Sequence, residues 1–164
     1  MVVRLRMPDA TATGSAAEAW KVWLAGEVDL DAIAAIESAS FGDPWPRDAF
    51  LPYVDRDLAL FLVAERGSNV IGYLVAFLVA DEAELSNIAV AEYARGVGVG
   101  AALLDALIRL AIERKILSVY LEVRESNMPA RSLYTSRGFQ NVGVRRSYYR
   151  NPVEDAIVLR KALT

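Results

Sequence analysis

Two short stretches hold the residue types that chemistry needs. In "EYARGVGVGAALLDAL" (92–107), Gly96, Gly98 and Gly100 alternate with valines and run directly into helix-forming residues. Glycines at such a junction let backbone N–H groups close around an anion at a helix N-terminus, so the turn points to a phosphate ligand. In "YLEVRESNMPARSLYTSRGF" (120–139), Glu122 stands alone between Leu121 and Val123 in an apolar run. Desolvation there raises a carboxyl group toward the range useful to a proton acceptor. The alternative is a salt-bridged Glu, with Arg124 as its partner. Tyr134 follows Asn127 by seven residues, two helical turns, which sets both on one side of a helix. Against a functional role, Tyr134 reads equally as a core aromatic with its hydroxyl at the rim, and Asn127 as a helix cap.

Composition narrows what these groups can do. The 164 residues include no Cys and no His. Disulfides, thiolate metal sites, cysteine nucleophiles, His-ligated zinc and imidazole acid–base chemistry are removed together, and no metal is expected. Catalysis must rest on Glu, Asp, Tyr, Lys, Ser or backbone groups. A net charge of −3 supplies no basic field for nucleic acid. No apolar run reaches the roughly 18 uncharged residues of a membrane span. The N-terminal "MVVRLRM" lacks the apolar length of a signal peptide. A cytoplasmic protein without membrane or nucleic-acid partners is the expectation.

The elements that must position these residues follow from periodicity and turn chemistry. "PDATATGSAAEA" is small and polar, so residues 1–17 are expected to be a flexible tail and 18–164 one domain. "AWKVWLAG" reads as a strand, and "DLDAIAAIESASF" as a helix opened by Asp29 or Asp31. Pro44 and Pro46 end that helix, and a short second one fits 47–53. "LALFLVAE" and "NVIGYLVAFLVA" form a hairpin across "RGSN", with Gly67 at its positive-φ position. "EAELSNIAV" is a strand. Residues 98–114 make a helix with Leu103, Leu104, Leu107, Ile108, Ala111 and Ile112 on its buried face. "LSVYLEV" is a central strand, "SNMPARSLYTSRGF" a short helix exiting at Gly138, and "NVGVRRSYY" and "EDAIVLRKAL" two closing strands. The order β-α-α-β-β-β-α-β-α-β-β defines an α/β chain with a mixed sheet.

Three phosphate-binding turns compete for the glycines. A P-loop needs Lys-Ser/Thr after its last glycine, and here Ala101-Ala102 follows. A dinucleotide site needs the strand to lead straight into the glycines, whereas "AEYAR" intervenes. The register Arg95-x-x-Gly98-x-Gly100, between the strand "NIAV" and a long amphipathic helix, resembles the acetyl-CoA loop of the GNAT acetyltransferases. The resemblance extends through "ELSNIAV", "YLEVRESNMPARSLYTSRGF", "RRSYY" and "EDAIVL", and is to the RimI type, the bacterial N-terminal alanine acetyltransferases of ribosomal proteins. It covers residues 20–163.

That resemblance implies the GNAT fold, a mostly antiparallel mixed sheet of about seven strands flanked by about four helices. It implies acetyl-CoA as co-substrate, held by Arg95, Gly96, Val97, Gly98, Val99 and Gly100 at its pyrophosphate. Ile88, Ala89 and Val90 would hold its pantetheine arm, with Asn127 assisting. Glu122 takes the place of the general base, acting through water, and Tyr134 that of the acid that protonates the departing sulfur. Val90 is the expected backbone donor to the oxyanion. Trp45, Tyr148 and Tyr149 would frame the acceptor, a protein N-terminus, with ordinary loop packing the alternative for Trp45. Without Cys, transfer is expected to be direct, in a ternary complex. A lysine or small-amine acceptor, and a CoA-binding module without catalysis, are the competing functions.

Overall fold

The computed structural model describes residues 19–163; the tail expected over 1–17 lies outside them. Seven strands form one sheet, β1 (Lys21–Leu24), β2 (Ala59–Arg66), β3 (Asn69–Val79), β4 (Glu82–Val90), β5 (Ser118–Arg124), β6 (Gln140–Tyr149) and β7 (Glu154–Ala162). Three α-helices, α1 (Leu30–Ser40), α2 (Val99–Glu113) and α3 (Met128–Ser136), and a 3-10 helix over Arg47–Tyr53 cover it. The spatial order is β1-β2-β3-β4-β5-β7-β6. Neighbours are antiparallel except β4 and β5, which run parallel around the α2 crossover.

Alternation in β2 and β3 splits the core between the two faces. Leu60, Leu62 and Leu74 turn toward Leu103, Leu104 and Leu107 of α2, while Phe61, Val63, Tyr73 and Val75 turn toward Ile33 of α1 and Phe50. Each such side chain, removed from water, contributes about 2 kcal/mol before entropy is counted. The β2–β3 turn places Gly67 at φ +62°, as its sequence requires.

One local expectation is corrected. Ile112, assigned to the buried face of α2, is 52% exposed, one residue past the buried Ala111, and Ala106 is buried instead. Asp29 precedes α1 without capping it through its side chain; its Oδ2 accepts the Gly26 N–H at 2.9 Å. β6 closes one edge with nearly every side chain exposed, and its Arg145 and Arg146 discourage strand addition there.

Candidate functional site

The parallel pair supplies the opening. β4 and β5 stay in register only from Glu82↔Ser118 to Leu85↔Leu121, yet β4 continues to Val90 and β5 to Arg124. Beyond Leu85 the two strands part, each still held by its outer neighbour. A bulge at the Val75/Ala76 step leaves Ser86 out of the β3 ladder where the parting begins.

The direction of β4's backbone groups past that point follows from its register. The Ala91 N–H donates to Ile71 C=O at 2.8 Å, so in the alternating antiparallel pattern Ala89 also bonds toward β3, opposite Tyr73. Ile88 and Val90 point their N–H and C=O groups the other way, into the gap beside β5. Of the three consecutive residues expected to line a cofactor arm, Ile88 and Val90 present polar backbone to the gap and Ala89 does not. The Val90 carbonyl is already engaged, accepting from Arg95 Nε at 2.8 Å.

The glycine turn stands at one end of this gap. Gly96 and Gly98 adopt φ of +78° and +99°, and Gly98 is the left-handed cap from which α2 starts. No side chain caps that terminus and no acid lies in its first turn, so the first N–H groups of α2 remain free for an anion. A Cβ on Gly96 would meet nothing within 4 Å, and Val97 is 56% exposed, so the turn is open to a ligand. The Val99 side chain is buried in the core, and Arg95 Nη2 reaches Ser40 Oγ at 3.3 Å. Backbone, rather than the side chains of Arg95 and Val99, is what this turn offers. Such a cradle fits a pyrophosphate.

Across the gap Glu122 lies on the sheet face toward α1, shared with Glu84 and Tyr120 of neighbouring positions. It is not a lone desolvated acid. Its Oε1 meets Arg145 Nε at 3.0 Å, a partner two strands away, while Arg124, the expected one, turns to Glu154 at 3.3 Å. A cleft of about 190 Å³ opens over this face, lined by Glu82, Glu84, Tyr120, Glu122, Arg145 and Val158 among others.

α3 brings Tyr134 to the same region. Asn127 caps the helix, its Oδ1 accepting from Ala130 N at 3.2 Å, which leaves its Nδ2 as the group still able to serve a ligand. Tyr134 is buried, edge-on to Phe139 at 5.7 Å. Burial, then its neighbour Tyr149, pushes its phenol well above the ordinary tyrosine range. Tyr148 and Tyr149 pack edge to face at 5.1 Å, with Arg124 4.4 Å over the Tyr149 ring. Burial, Tyr148 and Glu122 push Tyr149 up to about 12. The corner is pinned from behind, because Glu154 accepts the Ser126 N–H at 2.6 Å and Asp155 accepts the Ser147 N–H at 2.7 Å.

Tyr149 is the common neighbour of Glu122, Tyr148 and Tyr134, whereas the Trp45 ring packs on Phe50 at 5.4 Å and Tyr53 at 6.0 Å. Trp45 is joined to the site through a group the sequence reading missed. Glu37 of α1 is 1% exposed and accepts from Trp45 N at 3.1 Å, Asn87 Nδ2 at 3.0 Å and the Tyr73 hydroxyl. Burial pushes its carboxyl up, opposed by the bonds from Trp45 and Asn87. The signal was an acid four residues after Ile33, on the helix face that must be buried. Among the described residues no cluster of acids could hold a metal ion, and no helix is long and apolar enough to cross a membrane.

A parted parallel pair, with a capless glycine turn at one end and an acid and tyrosines beside it, sets an anion cradle next to groups able to move a proton. The chain belongs to the acetyltransferase (GNAT) family, whose sequence pattern matches residues 30–139, and the protein is an N-acetyltransferase. GNAT acetyltransferases use acetyl-CoA. Within the family it is of the RimI type. It is similar to the ribosomal protein bS18-alanine N-acetyltransferases of Escherichia coli (strain K12), 35% identical over 133 residues, and of Salmonella typhimurium, 37% over 134. Each comparison covers 80% of this chain and 89% of the relative. The crystal structure of the ribosomal-protein-S18-alanine N-acetyltransferase from Escherichia coli superimposes with a TM-score of 0.82 at 31% identity, covering 88% of this chain and 94% of that one.

Proposed function

We propose that the protein transfers an acetyl group from acetyl-CoA to the α-amino group of a protein N-terminus, directly and within a ternary complex. The observation that carries this reading is the gap between β4 and β5, where the backbone groups of Ile88 and the N–H of Val90 lie unpaired across from the Glu122 side of β5. The glycine turn and the N-terminus of α2 hold the pyrophosphate through backbone N–H groups from Gly96 to Gly100. The Ile88 backbone bonds the pantetheine arm, with the Asn127 amide alongside, and the Val90 N–H is left for the acetyl group.

Chemistry then needs a neutral amine, a donor for the developing negative oxygen and a proton for the departing sulfur. Glu122, through water, takes the proton from the amine as its nitrogen bonds to the acetyl carbon. The Val90 N–H stabilises the acetyl oxygen. As the C–S bond breaks, Tyr134 gives its proton to the sulfur; a phenol carries that proton at neutral pH. The absence of Cys removes the common covalent acetyl-enzyme route and supports direct transfer. An α-amine ionises near 8 against roughly 10.4 for lysine, so a carboxylate base is better matched to an N-terminus.

The names of the similar relatives support an N-terminal alanine of a ribosomal protein as the acceptor, framed by Tyr148, Tyr149 and the loop of Trp45, in the cytoplasm. Incubating a peptide library with enzyme and acetyl-CoA, followed by mass spectrometry, tests this. Acetylation at the α-amine of Ala-starting peptides is expected; acetylation confined to lysine or to small amines would refute it.

A further inference from the structure

The Glu37 network reaches the cleft through one amide. Glu37 Oε1 receives two donors, the Trp45 backbone N–H at 3.1 Å and Asn87 Nδ2 at 3.0 Å, while Oε2 receives the Tyr73 hydroxyl. A carboxylate oxygen already bonded by a backbone N–H is an acceptor, so Asn87 must present its NH₂ to it. That holds whether the buried carboxyl is charged or neutral, because a proton would sit on Oε2. The amide is therefore locked in one orientation, with Oδ1 as its remaining acceptor, and no hydrogen bond among the described residues engages Oδ1.

Asn87 stands two residues past Leu85, the last β4 position paired with β5, immediately after the bulged Ser86. Its partner Val75 belongs to the core beneath α1, so the Asn87 side chain lies on the sheet face that also carries Glu122, itself one residue past Leu121. An acceptor amine brought to this face at the start of the gap meets Glu122 from one strand and Asn87 from the other.

We propose that Asn87 is an acceptor-binding residue whose amide oxygen takes a hydrogen bond from the substrate amine, and that Glu37 is the positioning residue that fixes this orientation. It rests on the acetyl-transfer reading above. The incoming nitrogen, neutral and bearing two N–H bonds, gives one proton toward the Glu122 water and aligns on Asn87 with the other. Glu37 also ties the Trp45 loop to the same anchor, so acceptor loop and acceptor ligand share one support.

The test measures kcat and both KM values for wild type, Asn87→Ala, Glu37→Ala and Glu37→Gln, using an Ala-starting peptide, a lysine peptide and a small amine in parallel. With whichever acceptor the wild type turns over, Asn87→Ala is expected to raise its KM about tenfold. The KM for acetyl-CoA should stay within about twofold, and calorimetric acetyl-CoA binding should be retained. Glu37→Ala should move the acceptor KM likewise. Glu37→Gln should recover it to within about threefold of wild type, because a glutamine offers its oxygen to Trp45 and Asn87 and its NH₂ to Tyr73. An unchanged acceptor KM in Asn87→Ala, or Glu37→Gln as impaired as Glu37→Ala, overturns the proposal. If Glu37→Ala does not fold, Asn87→Ala and Glu37→Gln decide. Turnover of lysine or small amines alone refutes the α-amine reading and leaves the Asn87 comparison to be scored with that amine. No turnover of any amine refutes both.

Discussion

Glu122 and Arg145 meet at 3.0 Å across an intervening strand, the carboxylate side chain 15% exposed and the guanidinium 59% exposed. The pairing gives Glu122 a charged neighbour that water still reaches, so the acid is neither sealed in the core nor free at the surface. A carboxylate held this way keeps its second oxygen clear of the ion pair.

Glu122→Gln is accordingly expected to lower kcat about 100-fold or more, the usual contribution of a general base. Acetyl-CoA affinity, measured by calorimetry, should be unchanged, because the groups proposed to hold the cofactor, the glycine turn and the backbone of Ile88 and Val90, do not involve this side chain. Wild-type turnover in the variant would remove Glu122 from the chemistry.

Tyr134→Phe addresses the leaving group. A phenol carries its proton throughout the neutral range, so the loss of that proton should lower kcat by roughly tenfold to a hundredfold. The ring contact with Phe139 survives the change, and the unfolding temperature should move little.

Gly98→Ala tests the turn against a matched control. Gly98 at φ +99° and Gly67 at φ +62° are both left-handed, and a Cβ at either costs about 1–2 kcal/mol. Thermal unfolding should register a similar loss for Gly67→Ala in the β2–β3 turn. Only Gly98→Ala should also raise the KM for acetyl-CoA.

The corner carrying Tyr148 and Tyr149 should have an acid limit. Hydrogen bonds from Ser126, with Arg124 adding, hold Glu154 below the ordinary carboxylate range, and the Ser147 N–H, with Arg146, does the same for Asp155. Groups lowered on folding stabilise the fold above their unfolded values, and that contribution is lost as pH falls through the folded ones. Followed by NMR, the Ser126 and Ser147 amide resonances should hold through the neutral range and titrate only below the ordinary carboxylate values. A midpoint above the ordinary carboxylate values would contradict the assignment.

Most of the architecture was legible because local rules and the global fold agree. The hairpin turn at Gly67, the Asn127 cap and the leucine stripe of α2 each follow from one short stretch of chain. The glycine turn was readable for the same reason, since its geometry is set by three glycines and the helix after them. What depended on sheet order was not. Arg145 replaces Arg124 beside Glu122 because β7 comes between β5 and β6 in the sheet, and no spacing along the chain reveals that. Glu37 and Asn87 are 50 residues apart, and Ala89 turns away from the gap because of a bulge three residues earlier. Pairing partners, and the alternation they impose, have no signature in the residues themselves.

The single parallel step in the sheet has a consequence beyond the opening it makes. Because β4 and β5 part within the layer instead of at its rim, the sheet is a wall with a port in it, reached from opposite sides. The glycine turn and α2 form one jamb; α1, the Trp45 loop and the β6–β7 corner form the other. The two sets of side chains share almost no positions. Substitutions on one side therefore leave the other standing.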